Sequence, residues 1–179
     1  MTGGTYIQIG IDSQCLSYLI DAMDGVSEPT DALACERKAL LRLYLYLPGT
    51  LYVTPTVLTE CAQIRQTDRC ELHASFCDVL FNEVSVTKEN EVQSLAEKYR
   101  ANHSGANDCR ILAEAVHGGL SALVTYDGDF ISHLRYMEKM LVLDRPSTIW
   151  ESMNIPQGTK PDKHPHLTNP LSREEWWKW

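Results

Sequence analysis

Hydrophobic positions along the chain recur with two periods, and the switches between them outline the elements. Over residues 6–11, Tyr6, Ile7, Ile9 and Ile11 interleave with small or polar side chains and end on Asp12, which predicts a short strand. Leu16, Leu19, Ile20 and Met23 then fall at helical spacing, so a helix is expected over Ser13–Met23, stopped at Gly25. A turn at Ser27-Glu28-Pro29 leads into a second helix over residues 30–47, with Thr30 as its cap and Pro48-Gly49 as its end. Leu51-Tyr52-Val53 reads as a buried strand. Thr54-Pro55 follows as a helix start, a cap and then proline at the first helical position, and that helix carries Glu60. Helices over residues 69–80 and, from a Thr87 cap, up to residue 100 flank a brief strand at residues 84–86. A polar loop at residues 102–107 precedes a helix over residues 108–116, closed by Gly118-Gly119. A buried strand at residues 122–125 has Asp127 just past its end, a last strand covers residues 140–143, and Pro146-Ser147 opens a final helix.

Strands alternating with helices imply an α/β fold, a three-layer α/β/α sandwich around a mostly parallel sheet, without internal repeats. Residues 1–153 form one domain on this reading. Residues 154–179 form a tail broken by Pro156, Pro161, Pro165 and Pro170 and ending in Trp176-Trp177-Lys178-Trp179. So much indole on a short segment implies docking in an apolar groove, on this domain or across a second copy of the chain, ahead of base stacking or disorder.

Composition narrows the function classes. At 179 residues, 44% hydrophobic and 22% charged, the chain is an ordinary globular domain. Acids outnumber bases, 24 to 16, for a net charge of −8, so any binding to nucleic acid has to overcome global repulsion locally. No apolar run reaches the roughly 18 residues of a membrane span. Met1-Thr2-Gly3-Gly4 lacks the basic and apolar regions of a secretory leader. Cys15, Cys35, Cys61, Cys70, Cys77 and Cys109 contain no CxxC pair and mostly fall in apolar helical patterns, which points to reduced core thiols in a cytoplasm, with a zinc site as the alternative.

The informative feature is where the acids fall. Asp12 and Asp127 each follow a strand, and the carboxyl ends of parallel strands share one crevice. Asp108 lies on the same helical stripe as Ile111, Leu112, Ala115 and Val116, and Glu60 sits among Val57, Leu58, Cys61 and Ile64. Each has a plain explanation: helix caps for Asp12 and Asp108, Asp-Gly turn chemistry for Asp127, a surface position for Glu60. Four acids on apolar surfaces with few basic neighbours in pattern favour a hard divalent cation, Mg²⁺ or Mn²⁺, as their neutraliser.

These segments resemble the PIN domain, the metal-dependent ribonuclease fold typified by VapC-type toxins of toxin–antitoxin pairs. The matching pieces are Ile9-Gly10-Ile11-Asp12-Ser13, Pro55-Thr56-Val57-Leu58-Thr59-Glu60, Asn107-Asp108-Cys109-Arg110-Ile111-Leu112-Ala113 and Leu123-Val124-Thr125-Tyr126-Asp127-Gly128-Asp129-Phe130. Order and spacing agree over about residues 6–150, and the last motif is the most specific. The resemblance implies that Asp12, Glu60, Asp108 and Asp127 are the catalytic and metal-binding quartet, that Thr125 assists at the strand end, and that Asp129 is an additional candidate ligand. It implies an Mg²⁺- or Mn²⁺-dependent endoribonuclease with RNA as substrate and an antitoxin protein as partner.

Two other readings compete. A non-cleaving PIN-like module that binds RNA or protein would be expected to have lost an acid, and all four are present. A phosphatase using Asp12 as nucleophile would want an acid where Gln14 stands, and no Gly-rich phosphate loop occurs. None of the six His lies inside a motif. Arg65, Arg69, Arg110 and His103 flank the motifs as RNA-backbone contacts or, more plainly, as solvated charges.

Overall fold

The computed structural model describes residues 7–24 and 27–179. Tyr6, Gly25 and the Met1–Gly4 segment, on which three of the expectations above fall, lie outside the described residues. Five strands form one all-parallel sheet: β1 (Ile9–Ile11), β2 (Tyr52–Val53), β3 (Asn82–Glu83), β4 (Ala122–Val124) and β5 (Val142–Asp144), in the order β3-β2-β1-β4-β5. Gly10 pairs with Tyr52 on one side of β1 and with Leu123 on the other. Among the described residues eight helices complete a three-layer α/β/α sandwich: α1 (Ser13–Met23), α2 (Ala34–Tyr46), α3 (Pro55–Ala62), α4 (Thr67–Leu80), α5 (Glu89–Arg100), α6 (Ala106–His117), α7 (Gly128–Leu134) and α8 (Pro146–Ser152). The central strands are buried along their whole length, as a sheet covered on both faces requires. Ile9, Ile11, Leu123 and Val124 are each at most 1% exposed and pack with Leu16, Leu40 and Leu112 in one continuous core.

Caps separate the sound boundaries from the mistaken ones. Asp12 and Thr54 accept from the amides of Cys15 and Val57, so α1 and α3 start where the sequence places them. Thr30 and Thr87 do not cap: α2 begins after Leu33 and α5 after Lys88, neither with a side-chain cap. The first turn of α5 instead holds Glu89 and Glu91, whose charges suit a helix N-terminus. Residues 106–107, read as loop, are the opening of α6, and Gly128–Leu134, in which no periodicity is evident, form a helix capped by Asp127. Strand β3 falls on exposed Asn82 and Glu83 rather than on residues 84–86, because pairing with Tyr52 and Val53 defines it and hydrophobicity does not. The last strand likewise shifts to Val142–Asp144, set by its register on β4.

The C-terminal segment is folded back on the domain. Trp177 is 2% exposed, and its indole Nε1 donates to Leu171 O at 2.9 Å. Arg42 on α2 donates to the carbonyls of Trp177 and Lys178, both at 3.0 Å. Lys163 Nζ donates to Tyr44 O at 2.9 Å and to Leu47 O at 2.7 Å, so a tail residue caps the carbonyl end of α2. All six cysteines are free; Cys15, Cys61, Cys77 and Cys109 are buried, whereas Cys35 is exposed and Cys70 partly so. No described helix is long and apolar enough to cross a membrane.

Candidate functional site

The order of strands reverses between β1 and β4, and in parallel α/β sheets such a switch point opens a crevice at the carboxyl ends. Asp12 leaves β1 there, its amide still donating to Val124 O at 3.2 Å. Its carboxylate is 7% exposed at residue level, with Oδ1 accepting from the Cys15 amide at 2.7 Å and Oδ2 accepting from the Thr125 hydroxyl. Burial pushes the Asp12 carboxyl above the ordinary carboxylate range; the bonds from Thr125 and Cys15 oppose that, and the Asp108 charge adds to it. Thr125, fully buried at the end of β4, also accepts from the Asp127 amide at 3.0 Å. One hydroxyl thus ties the two strand-end acids together. Asp127 Oδ1 accepts from the amides of Asp129 and Phe130 at 2.8 and 3.0 Å, so the expected turn chemistry is present and fixes this carboxylate at the start of α7.

The other two acids arrive on helices. Glu60, on α3, accepts from Ser13 Oγ through Oε2 and from Asn107 Nδ2 through Oε1, the latter at 2.5 Å. Asp108, in the first turn of α6, has Oδ2 2.7 Å from His103 Nε2. His103 is buried and stacks on Phe130, ring centroids 5.8 Å apart. A Cβ on Gly105 would stand 2.2 Å from Asp108 Oδ2 and 2.6 Å from His103 Nε2, so any other residue at the start of α6 would have to displace this pair.

All four acids line one cleft of about 350 Å³, together with Ser13 and Gln14. Asp129 is exposed and does not line it. Among the described residues, no three His, Cys, Asp or Glu side chains stand close enough as they are to hold a metal ion. The donor set is all oxygen, which suits Mg²⁺ or Mn²⁺. The buried Asp12 carboxylate beside Asp108 is also the kind of uncompensated charge that a cation relieves. Glu60 and Asp108 are turned toward Ser13, Asn107 and His103, so holding an ion requires these side chains to exchange partners.

Three of the four flanking basic residues are paired with acids. His103, outside every motif and read as an RNA contact or a solvated charge, is the buried partner of Asp108, which therefore has a basic neighbour after all. Arg110 is bound to Glu89 at 2.6 Å and to Glu114 at 2.8 Å, and Arg69 to Asp21 at 2.8 Å; Arg65 is exposed.

Sequence reasoning passed over Glu114, which is 1% exposed. Its carboxylate accepts from Thr56 N at 3.0 Å and Thr56 Oγ1 at 2.9 Å, joining the start of α3 to α6, and from Arg110 Nε. It therefore holds the helix that presents Glu60 against the helix that presents Asp108. The available signal was its i+4 spacing from Arg110 on a helix otherwise apolar on that side. Glu114→Ala, which strands buried donors, is expected to cost about 3–5 kcal/mol of stability, measured by urea denaturation. No family model matches this chain, and no curated protein matches it either.

Proposed function

We propose that the chain is a divalent-metal-dependent endoribonuclease, cytoplasmic by its free thiols and acting as the toxin of a toxin–antitoxin pair. The observation that carries the reading is the convergence of Asp12, Glu60, Asp108 and Asp127, from four separate segments, on one cleft at the switch point of a parallel sheet. Asp12 and Asp108 are the principal ligands of Mg²⁺ or Mn²⁺, and Glu60 and Asp127 complete the set. When bound, the ion supplies an activated water and neutralises charge on the phosphoryl group.

The residues themselves divide the work. Asp12 is held at both oxygens, by the Cys15 amide and by Thr125, so its direction is fixed before any ligand arrives. Asp127 is fixed in the same way by two amides of α7. Glu60 and Asp108 are held by side chains alone, and these can turn aside when the cleft fills. Ser13 and Asn107, once released from Glu60, are neutral donors positioned beside the cleft for phosphate oxygens.

A non-cleaving RNA- or protein-binding module is the competing reading. It draws support from the engagement of Glu60 and Asp108 with protein partners and from the absence, among the described residues, of a preformed ligand cluster. RNA cleavage measured with Mg²⁺, with Mn²⁺ and with EDTA separates the two. Cleavage is expected with either ion and none with EDTA; cleavage unaffected by chelation sinks the carboxylate mechanism, and no cleavage under any condition favours the binding module.

A further inference from the structure

Asp12 and Asp127 are fixed in the acid cleft by backbone amides and Thr125, whereas Asp108 is fixed by one histidine. Asp108 Oδ2 lies 2.7 Å from His103 Nε2, and an ionised carboxylate can only accept, so Nε2 is the donor. The two side chains differ in freedom: that of Asp108 is 31% exposed and that of His103 only 7%. The histidine is also clamped. Its ring lies nearly parallel to Phe130, at 16°, and the His133 ring is 5.5 Å away. Its amide donates to Tyr99 O at 3.1 Å, and its carbonyl accepts from Cys109 Sγ at 3.5 Å. The bond therefore opens by Asp108 turning away from a fixed partner.

That bond bears on metal binding. The four acids line one cleft, yet among the described residues no three stand close enough to hold an ion. Asp108 joins the others only by giving up a short bond to a charged acceptor, and its departure strands a buried Nε2–H. When the binding-competent arrangement is only partly populated, apparent affinity falls by that fraction. We propose that His103 is a latch on Asp108, holding this carboxylate out of the metal-binding arrangement until a divalent ion competes for it. The inference rests on the metal-binding reading of the cleft and adds which contact sets the ion concentration at which the site assembles.

Gly105 offers a second handle on the same bond. A Cβ there would press on both bonded atoms, Asp108 Oδ2 and His103 Nε2. The backbone at Gly105, φ −67° and ψ 100°, is one that alanine adopts freely. Gly105→Ala thus parts the pair without removing either group, and the more exposed Asp108 is the one to give way.

The test is calorimetric titration of the full chain with MnCl₂, without RNA. His103→Phe keeps a ring against Phe130 and removes the donor. It is expected to bind Mn²⁺ about tenfold more tightly than wild type, the worth of a hydrogen bond to a charged group. Gly105→Ala is expected to tighten binding by about threefold or more, and His103→Gln, which restores a donor, to return it to within about threefold of wild type. Thermal melts in EDTA report the fold separately: a histidine that served only the fold would lower the melting temperature when lost, without any gain in Mn²⁺ affinity. Unchanged or weakened Mn²⁺ binding in both His103→Phe and Gly105→Ala overturns the latch. Should His103→Phe not fold, Gly105→Ala decides alone. No Mn²⁺ binding by wild type or variants overturns the latch and the metal reading together. The latch and the nuclease otherwise fail separately. Tighter Mn²⁺ binding in variants of a chain that never cleaves RNA keeps the latch and loses the nuclease; metal-dependent cleavage with Mn²⁺ affinity indifferent to both substitutions does the reverse.

Discussion

Asp12→Asn is expected to reduce metal-dependent RNA cleavage by more than about 100-fold, beyond what losing a residue behind a metal ligand costs, while raising the melting temperature of the metal-free protein at pH 7. The two effects have one origin. The folded protein holds the Asp12 carboxyl above its ordinary 3.8, chiefly because the group is buried and only secondarily because Asp108 is near. Between 3.8 and the raised value the folded chain therefore binds more protons than the unfolded chain, and stability falls as pH rises through that window. Above that window the whole penalty is in force. Asparagine removes it, yet its amide oxygen still accepts from the Cys15 amide, so α1 keeps its cap. The stability gain should vanish below about pH 4, where wild-type Asp12 is protonated in both states. Added Mg²⁺ should raise the melting temperature of the wild type and leave the variant where it is. Thermal melts at pH 3.5 and pH 7, with and without Mg²⁺, check all of this. A variant less stable than wild type at pH 7 without metal, and still active, would make Asp12 a helix cap and nothing more.

That Asp12 and Asp127 end strands facing one crevice followed from apolar runs and parallel topology, because the acids sit one and three residues beyond a buried strand. Glu60 and Asp108 were legible from helical phase, Asp108 through Ile111 and Leu112 and Glu60 through Val57 and Ile64. Partners separated far along the chain were not legible. Thr125 meets Asp12 across 113 residues and Glu114 meets Thr56 across 58, and no local pattern announces either bond. His103 was within reach, five residues before Asp108, but it stands in a polar loop whose glycine hides the close approach. The caps of α2 and α5 failed for a related reason. A threonine before a helical pattern is a local signal, whereas the start of α2 also answers to contacts such as that between Glu36 and Ser147, 111 residues away.

Trp177→Ala is expected to destabilise the chain by about 3–5 kcal/mol, the cost of emptying a large buried aromatic site, and to lower the melting temperature by about 6–20 °C at the slope typical of a chain this long. Trp177 is sealed at 2% exposure and bound through its indole to Leu171 O, so its removal leaves a cavity and takes one of the two donors from that carbonyl, the Glu174 amide being the other. Trp179 is a useful contrast. It is 37% exposed, meets Trp150 edge-on at 5.5 Å and lies under Arg42 at 4.8 Å. Those contacts are of the kind worth about 0.5–1.5 kcal/mol each, so Trp179→Ala should cost less than half as much as Trp177→Ala. Deleting residues 155–179 should cost more than either, because Lys163 leaves the carbonyl end of α2 and Arg42 loses both tail carbonyls along with the Trp179 ring. The ordering deletion, then Trp177→Ala, then Trp179→Ala, read by urea denaturation at one pH, is what a clasped tail requires. Equal and small effects, within about 1 kcal/mol of wild type, would mean that the domain is stable without its C-terminal segment and that the tryptophans serve a contact outside this chain.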